Sequence, residues 1–136
     1  MILDSPASNI KQKDLIPILI CEDVQASIEF YTMVLGFSVT GREDDLGKTG
    51  WASLNQGSVQ IMLASPTYLP DPIKVDGYYP QALFYFYPEN VEALHTTLKE
   101  QGHEVGELTV RGYGMREFQM IDPGGHVLVF GEDVGE

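Results

Sequence analysis

The chain spells out one order of elements twice. From Leu15 to Leu63, and again from Ala82 to Phe130, it reads strand, helix, then three strands. Sliding the first half forward by 67 residues brings Asp23 onto Asn90, Val24 onto Val91, Ala26 onto Ala93, Tyr31 onto Leu98, Trp51 onto Phe118 and Gly57 onto Gly125. Identity is low, so what repeats is punctuation and element order. A βαβββ unit buries one sheet face under its helix and leaves the other for something else. The spacing predicts an α+β fold of paired βαβββ modules, residues 14–65 and 81–132, joined by a linker at 66–80. Open, curved mixed sheets would enclose a concave pocket, with helices on the outer face. At 136 residues the whole is one domain with room for a core.

Local signals support this order. Leu15 to Cys21 is rich in β-branched residues, and Pro17 puts it at a sheet edge or makes that proline the strand's start. Asp23 caps a helix whose Val24, Ile28, Tyr31 and Leu35 share a face, and Gly36 ends it. Phe37 to Thr40 is a strand, and the charged run from Gly41 to Gly50 reads as a solvated loop. Strands Trp51–Leu54 and Ser58–Leu63 flank a turn at Asn55-Gln56-Gly57. The proline-rich Ser65–Pro80 segment is a connector, with Tyr68, Tyr78 and Tyr79 tying it down. Then come a strand at Ala82–Tyr87, a helix from Asn90 with Val91, Leu94 and Leu98 inward, and a stop at Gly102. Glu104–Val110 reads as a strand, and Asp122-Pro123-Gly124-Gly125 as the turn of the last hairpin.

Strand alternation assigns the free faces. Leu128 and Phe130 should pack on the helix, leaving Val127 and Val129 opposite. The matching free sets are Ile16, Ile18 and Ile20, then Gln60, Met62 and Ala64, then Leu83, Tyr85 and Tyr87. An apolar surface with a few polar groups suits a small-molecule site. The expected ligand-binding residues are Trp51, Gln60, Met62, Tyr85, Tyr87, Tyr113 and Phe118. Tyr113 lies in a glycine-flanked loop that reads either as a mobile rim of the pocket or as a plain turn.

Charge narrows the partners. Twenty acidic residues against eight basic give a net charge of −12, which disfavours nucleic acid and anionic membrane; it either simply keeps the protein soluble, the plainer reading, or draws a cationic guest. The apolar run at Leu15–Cys21 is too short to span a bilayer. A lone Cys21 excludes an internal disulfide, and no secretory signal is legible, so a cytoplasmic protein is expected. His95, His103 and His126 lack ligand spacing: a boundary residue, an exposed one and a satisfied turn histidine are expected. Glu43-Asp44-Asp45 lacks the glycine punctuation of a calcium loop.

Two stretches carry a family resemblance. Leu19-x-Cys21-x-Asp23-x-x-x-Ser27-x-x-Phe30-Tyr31-x-x-x-Leu35-Gly36-Phe37 resembles the first strand and helix of the vicinal oxygen chelate superfamily. Phe118-x-x-x-Asp122-Pro123-Gly124-Gly125-His126-x-x-x-Phe130-Gly131-Glu132 resembles its last hairpin. The superfamily holds glyoxalase I, extradiol dioxygenases, fosfomycin-resistance enzymes and bleomycin-resistance proteins. The resemblance implies a divalent metal on the first, fourth, fifth and eighth strands. Those positions map to Ile16, Met62, Leu83 and Val129, and the 67-residue shift carries Ile16 to Leu83 and Met62 to Val129. Ile, Leu and Val offer no lone pair, and one thioether is a weak ligand for such ions.

The expectation is therefore a protein similar to the bleomycin-resistance branch, without cofactor, catalytic residues or metal. It would sequester a cationic or aromatic small molecule without turnover. The resemblance implies a homodimer with the cleft at the interface; whether the modules pair within one chain or between chains stays open. The alternatives are a metal-dependent glyoxalase- or dioxygenase-like enzyme with relocated ligands, and a module with a vestigial pocket.

Overall fold

The computed structural model describes residues 9–10, 13–44, 48–68 and 82–135, with backbone only at Asp44 and Tyr68. Two four-stranded sheets share one topology. The first orders as β1-β4-β3-β2, from β1 (Ile18–Ile20), β2 (Ser38–Asp44), β3 (Gly50–Gln56) and β4 (Val59–Ala64). The second orders as β5-β8-β7-β6, from β5 (Phe84–Phe86), β6 (Thr109–Val110), β7 (Met115–Ile121) and β8 (Val127–Asp133). In each, the first strand runs parallel to the fourth and the other pairs are antiparallel. These are open mixed sheets of an α+β fold, as expected.

The helices begin where their caps require. The Asp23 carboxylate accepts from Ala26 N at 3.0 Å and opens α1 (Val24–Glu29), which widens into a π-helical turn over Phe30–Val34. The Thr32 hydroxyl donates to Ile28 O at 2.7 Å where the widening occurs. Gly36, at φ +81°, ends the run in the left-handed region that favours glycine. The Asn90 side chain accepts from Ala93 N at 2.9 Å and opens α2 (Val91–Glu100).

The helix-facing sides of both sheets join one core. Leu19, Leu54, Ile61 and Leu63 from the first module meet Phe118, Met120, Leu128 and Phe130 from the second, with Val24, Ile28, Tyr31, Val91 and Leu98 from the helices. A polar lock crosses between modules. The Tyr31 hydroxyl, fully buried, donates to Asp122 Oδ2 at 2.7 Å. Asp122 Oδ1 accepts from Gly124 N at 3.0 Å and His126 N at 2.8 Å, and the His126 ring meets both carboxylate oxygens at 2.9 Å. Burial and the neighbouring Asp122 charge push the Tyr31 hydroxyl's pKa up, so it stays a donor.

Several boundaries differ from expectation. β5 covers Phe84–Phe86 rather than Ala82–Tyr87, and the first hairpin turns at Gly57-Ser58 rather than Asn55-Gln56-Gly57. β1 is three residues rather than seven; Pro17 precedes it and only lends its carbonyl to Met62 N at 2.9 Å. The expected loop at Gly41–Gly50 is strand as far as Asp44, paired to β3 after a bulge between Val39 and Gly41. An edge strand solvates charge as well as a loop does, so composition did not separate them. The strand expected at Glu104–Val110 shrinks to Thr109–Val110, with only Gly106 N reaching Gln119 O beforehand. Pro66–Tyr68 makes one 3₁₀ turn. The rest of the linker reading, including the Tyr68 side chain, Tyr78 and Tyr79, falls outside the described residues.

Candidate functional site

On the sheet faces turned away from the helices, exposed and buried side chains alternate among the described residues: Ile18, Ile20 and Tyr85 are exposed, Ser53, Ala64 and Val129 buried. On the first, the rows Ile18–Met62–Ser53–Gly41 and Ile20–Ala64–Trp51–Glu43 run across the strands. Ile18 and Ile20 are 46% and 47% exposed, whereas Leu19 between them is buried. The Trp51 ring lies over Gly41, where an added Cβ would sit 3.3 Å from it. Gln60 Nε2 donates to the Ser53 hydroxyl at 2.9 Å, and Thr40 donates to Asn55 Oδ1 at 2.6 Å. The first of these bonds fixes the amide of Gln60 at Ser53, which pairs with Met62.

On the second sheet, Tyr85, Val129 and Gln119 form one row, and Gly131, Glu117 and Thr109 another. Leu83 and Tyr87 are 57% and 75% exposed. Among them sits a buried carboxylate, Glu117, only 5% exposed. Its Oε2 accepts from the Tyr85 hydroxyl at 2.6 Å; its Oε1 accepts from Tyr113 at 2.7 Å and from Arg111 Nε at 3.0 Å. The Tyr85 ring crosses Gly131 so closely that a Cβ there would lie 2.0 Å from its hydroxyl oxygen. Tyr85 and Tyr87 rings stand 5.0 Å apart at 43°.

Burial alone would raise the Glu117 pKa, but the bonds from Tyr85, Tyr113 and Arg111, with Arg111's charge, hold it below its ordinary 4.5. Burial, then the bond to Glu117, pushes Tyr85 up, and the bond to Glu117 pushes Tyr113 up. A carboxylate with a lowered folded pKa stabilises the fold above its unfolded value and loses that contribution as pH falls through the folded one. Glu117→Gln should therefore melt below the wild type at pH 7. The gap should close as pH drops below 4.5, in thermal melts across a pH series.

The structure places Trp51, Gln60, Met62 and Tyr85 on the open faces, Tyr87 one residue past β5 with its ring beside that of Tyr85, and Tyr113 on the exposed loop above Glu117. Phe118 is a correction. It is buried in the core, with its ring centroid 5.1 Å from Phe130 and 4.9 Å from His95. The reason is register. Ile61 and Leu128 are 67 residues apart, but their partners Leu54 and Met120 are 66 apart, because the two hairpin turns differ in length by one residue. A one-residue slip exchanges the faces. The counterpart of Trp51 is thus Glu117, and sequence reasoning missed it for that reason. Phe118→Leu should cost about 1 kcal/mol of stability and leave small-molecule affinity unchanged, as melts and titration calorimetry would show.

The positions at which relatives hold a metal do not fit one here. Met62 and Val129 stand on the open faces opposite Ile18 and Tyr85, Leu83 is exposed, and Ile16 precedes β1. Their side chains supply one thioether and no nitrogen or oxygen. Among the described residues no three His, Cys, Asp or Glu side chains converge as a ligand set. His126 is spent on Asp122, and His95 on Gly106 O at 2.9 Å. His103 is half-buried rather than exposed. Burial raises the Cys21 thiol's pKa, which suits a structural role.

A groove of about 560 Å³ opens elsewhere, with Leu35, Phe37, Phe86, Leu94 and Phe130 on its floor and Gln56, Ser58 and Glu89 at its rim. Of the expected site residues, only Tyr87 borders it. No helix among the described residues is long and apolar enough to cross a membrane.

Solved structures share this architecture. TioX from Micromonospora sp. ML1 superposes with a TM-score of 0.71 at 19% identity, covering 88% of this chain and 98% of that one. A lactoylglutathione lyase from Agrobacterium tumefaciens gives 0.67 at 21% identity, covering 89% and 94%. A glyoxalase/bleomycin resistance protein/dioxygenase from Nocardioides gives 0.70 at 16% identity, covering 92% and 86%. At such identities the likeness is one of fold. No curated protein matches the chain in sequence. A family model does match, over residues 15–130, and with the duplicated βαβββ topology it shows that the chain belongs to the Glyoxalase/Bleomycin resistance protein/Dioxygenase superfamily.

Proposed function

We propose that this protein captures a small aromatic or cationic molecule without turning it over, in the manner of the bleomycin-resistance branch of its superfamily. One observation carries the reading. The faces where relatives bind an ion are lined by aliphatic side chains at the ion's positions and by aromatics around them. Without an ion there is no Lewis acid to polarise a carbonyl or activate a water at those positions. What remains suits binding: Trp51, Tyr85 and Tyr87 offer ring faces, Gln60 a fixed amide, and Ile18, Ile20 and Leu83 apolar area.

The partner in this reading is a second copy of the chain. Large apolar side chains stand exposed on both open faces, Ile18 and Ile20 on the first and Leu83 and Tyr87 beside the second, and exposed apolar surface suits an interface between copies. Facing modules would turn two open sheet faces into one enclosed cleft. Sedimentation should find a dimer, and Ile20→Asp should dissociate it. The net charge of −12 would draw cationic guests from a distance. A cytoplasmic location belongs to the same reading.

Isothermal titration with bleomycin and a panel of cationic aromatics tests it. Saturable heat with at least one, and recovery of that compound unchanged, is the expected result. No heat with any of them would remove the drug-binding reading. A metal-dependent lyase or oxidoreductase would instead need ligands outside the four mapped positions, and elemental analysis would find its ion at stoichiometric level.

A further inference from the structure

The inference deepens the reading above and rests on it. We propose that Glu117 is the seat for a cationic group of the guest, an alkylammonium or guanidinium, and that Arg111 is a tethered occupant of that seat. It also names a specificity determinant, because Arg111 would decide how strongly a cation must bind to enter.

The geometry supports both parts. A carboxylate carries about four acceptor sites. Glu117 uses two on Oε1, for Tyr113 and Arg111, and one on Oε2, for Tyr85. One acceptor on Oε2 remains, on the side of Tyr85 and its neighbour Tyr87. Those two rings, 5.0 Å apart and tilted by 43°, offer π-faces to a cation near Oε2. A negative charge fixed by two phenols, buried yet set on an otherwise open sheet face, is unusual for a surface that only solvates. Glycine at 131 is what admits the Tyr85 ring to this position.

Arg111 is placed to yield. It reaches Glu117 through Nε alone rather than as a two-pronged pair, and its side chain is half exposed. Its backbone lies in a short turn, with Arg111 N on Met115 O at 2.7 Å and Gly114 N on Arg111 O at 2.9 Å. Swinging the guanidinium outward breaks its hydrogen-bonded ion pair with Glu117. A cation arriving from solution would then bridge the acceptor freed on Oε1 and the open one on Oε2, leaving both phenols on the carboxylate. The apparent affinity for that cation is reduced by the fraction of time Arg111 fills the seat.

The test compares two probes in titration calorimetry: 2-phenylethylammonium and its neutral isostere propylbenzene. Three proteins are used: the wild type, Arg111→Gln and Glu117→Gln. The cation should bind wild type more tightly than the isostere does. Arg111→Gln should tighten the cation about tenfold and leave the isostere within twofold. Glu117→Gln should abolish the preference. Because Glu117→Gln keeps side-chain size and the Arg111 side chain is half exposed, circular dichroism should show intact folds. If Glu117→Gln fails to fold, Arg111→Gln alone decides the matter. Equal binding of the two probes, unchanged by Arg111→Gln, would overturn the cation seat while leaving capture of an aromatic guest standing. Binding of neither probe to any of the proteins would overturn both.

Discussion

Asp122→Ala should lower the stability of the protein by about 3–5 kcal/mol, the largest loss expected of any single polar substitution here. The carboxylate is buried and satisfies four donors at once: Tyr31 Oη, Gly124 N, His126 N and the His126 ring. Two of these belong to the backbone of the last hairpin's turn and one to the helix of the other module. Truncation therefore leaves a buried phenol without an acceptor, frees the turn that sets the register of β7 on β8, and removes a polar bond between modules. With a total stability of about 5–15 kcal/mol for domains of this kind, such a loss should lower the melting temperature by about 10–20 °C. Tyr31→Phe removes one donor and leaves the other three, so it should cost about 1–2 kcal/mol. If Asp122→Ala melts no lower than Tyr31→Phe, the lock is not the junction described.

Gly131→Ala should have the largest effect on binding among changes that leave every charge in place. A Cβ at residue 131 would lie 2.0 Å from the Tyr85 hydroxyl oxygen and 2.7 Å from the ring carbon bearing it. No side-chain atom tolerates that distance, so the phenol must leave Glu117. Tyr85 is 37% exposed and can swing outward, which confines the stability cost to about 1–2 kcal/mol. Glu117 then loses its only bond on Oε2, and its pKa should rise from its lowered value. Affinity for an aromatic cation should fall about tenfold, the equivalent of one good hydrogen bond and ring contact. Calorimetry reads the affinity, and carboxyl carbon shifts in a pH titration read Glu117. An unchanged affinity would mean that Tyr85 stands clear of the guest.

The sequence made the skeleton legible because its signals are local. Asp23 and Asn90 open their helices as capping side chains do, and Gly36 and Gly102 end them at positive φ. Alternation correctly separated Leu19 from Ile18 and Ile20, and Leu128 and Phe130 from Tyr85 across the sheet. What escaped was non-local. The site's carboxylate, Glu117, sits one residue from Phe118, and only the pairing of β7 with β8 tells which of the two faces out. A hairpin turn one residue longer in the second half is enough to reverse that choice. Nor does anything in the local run Arg111-Gly112-Tyr113 announce that both side chains fold back onto the same carboxylate.

The central claim is that this scaffold binds its guest without help from an ion. Titrating the protein with the cationic aromatic panel before and after exhaustive chelation, with elemental analysis of each sample, tests it most directly. The account predicts the same dissociation constant in both samples and no stoichiometric zinc, nickel, manganese or iron in either. Binding or turnover that vanishes on chelation and returns with one of those ions would contradict it.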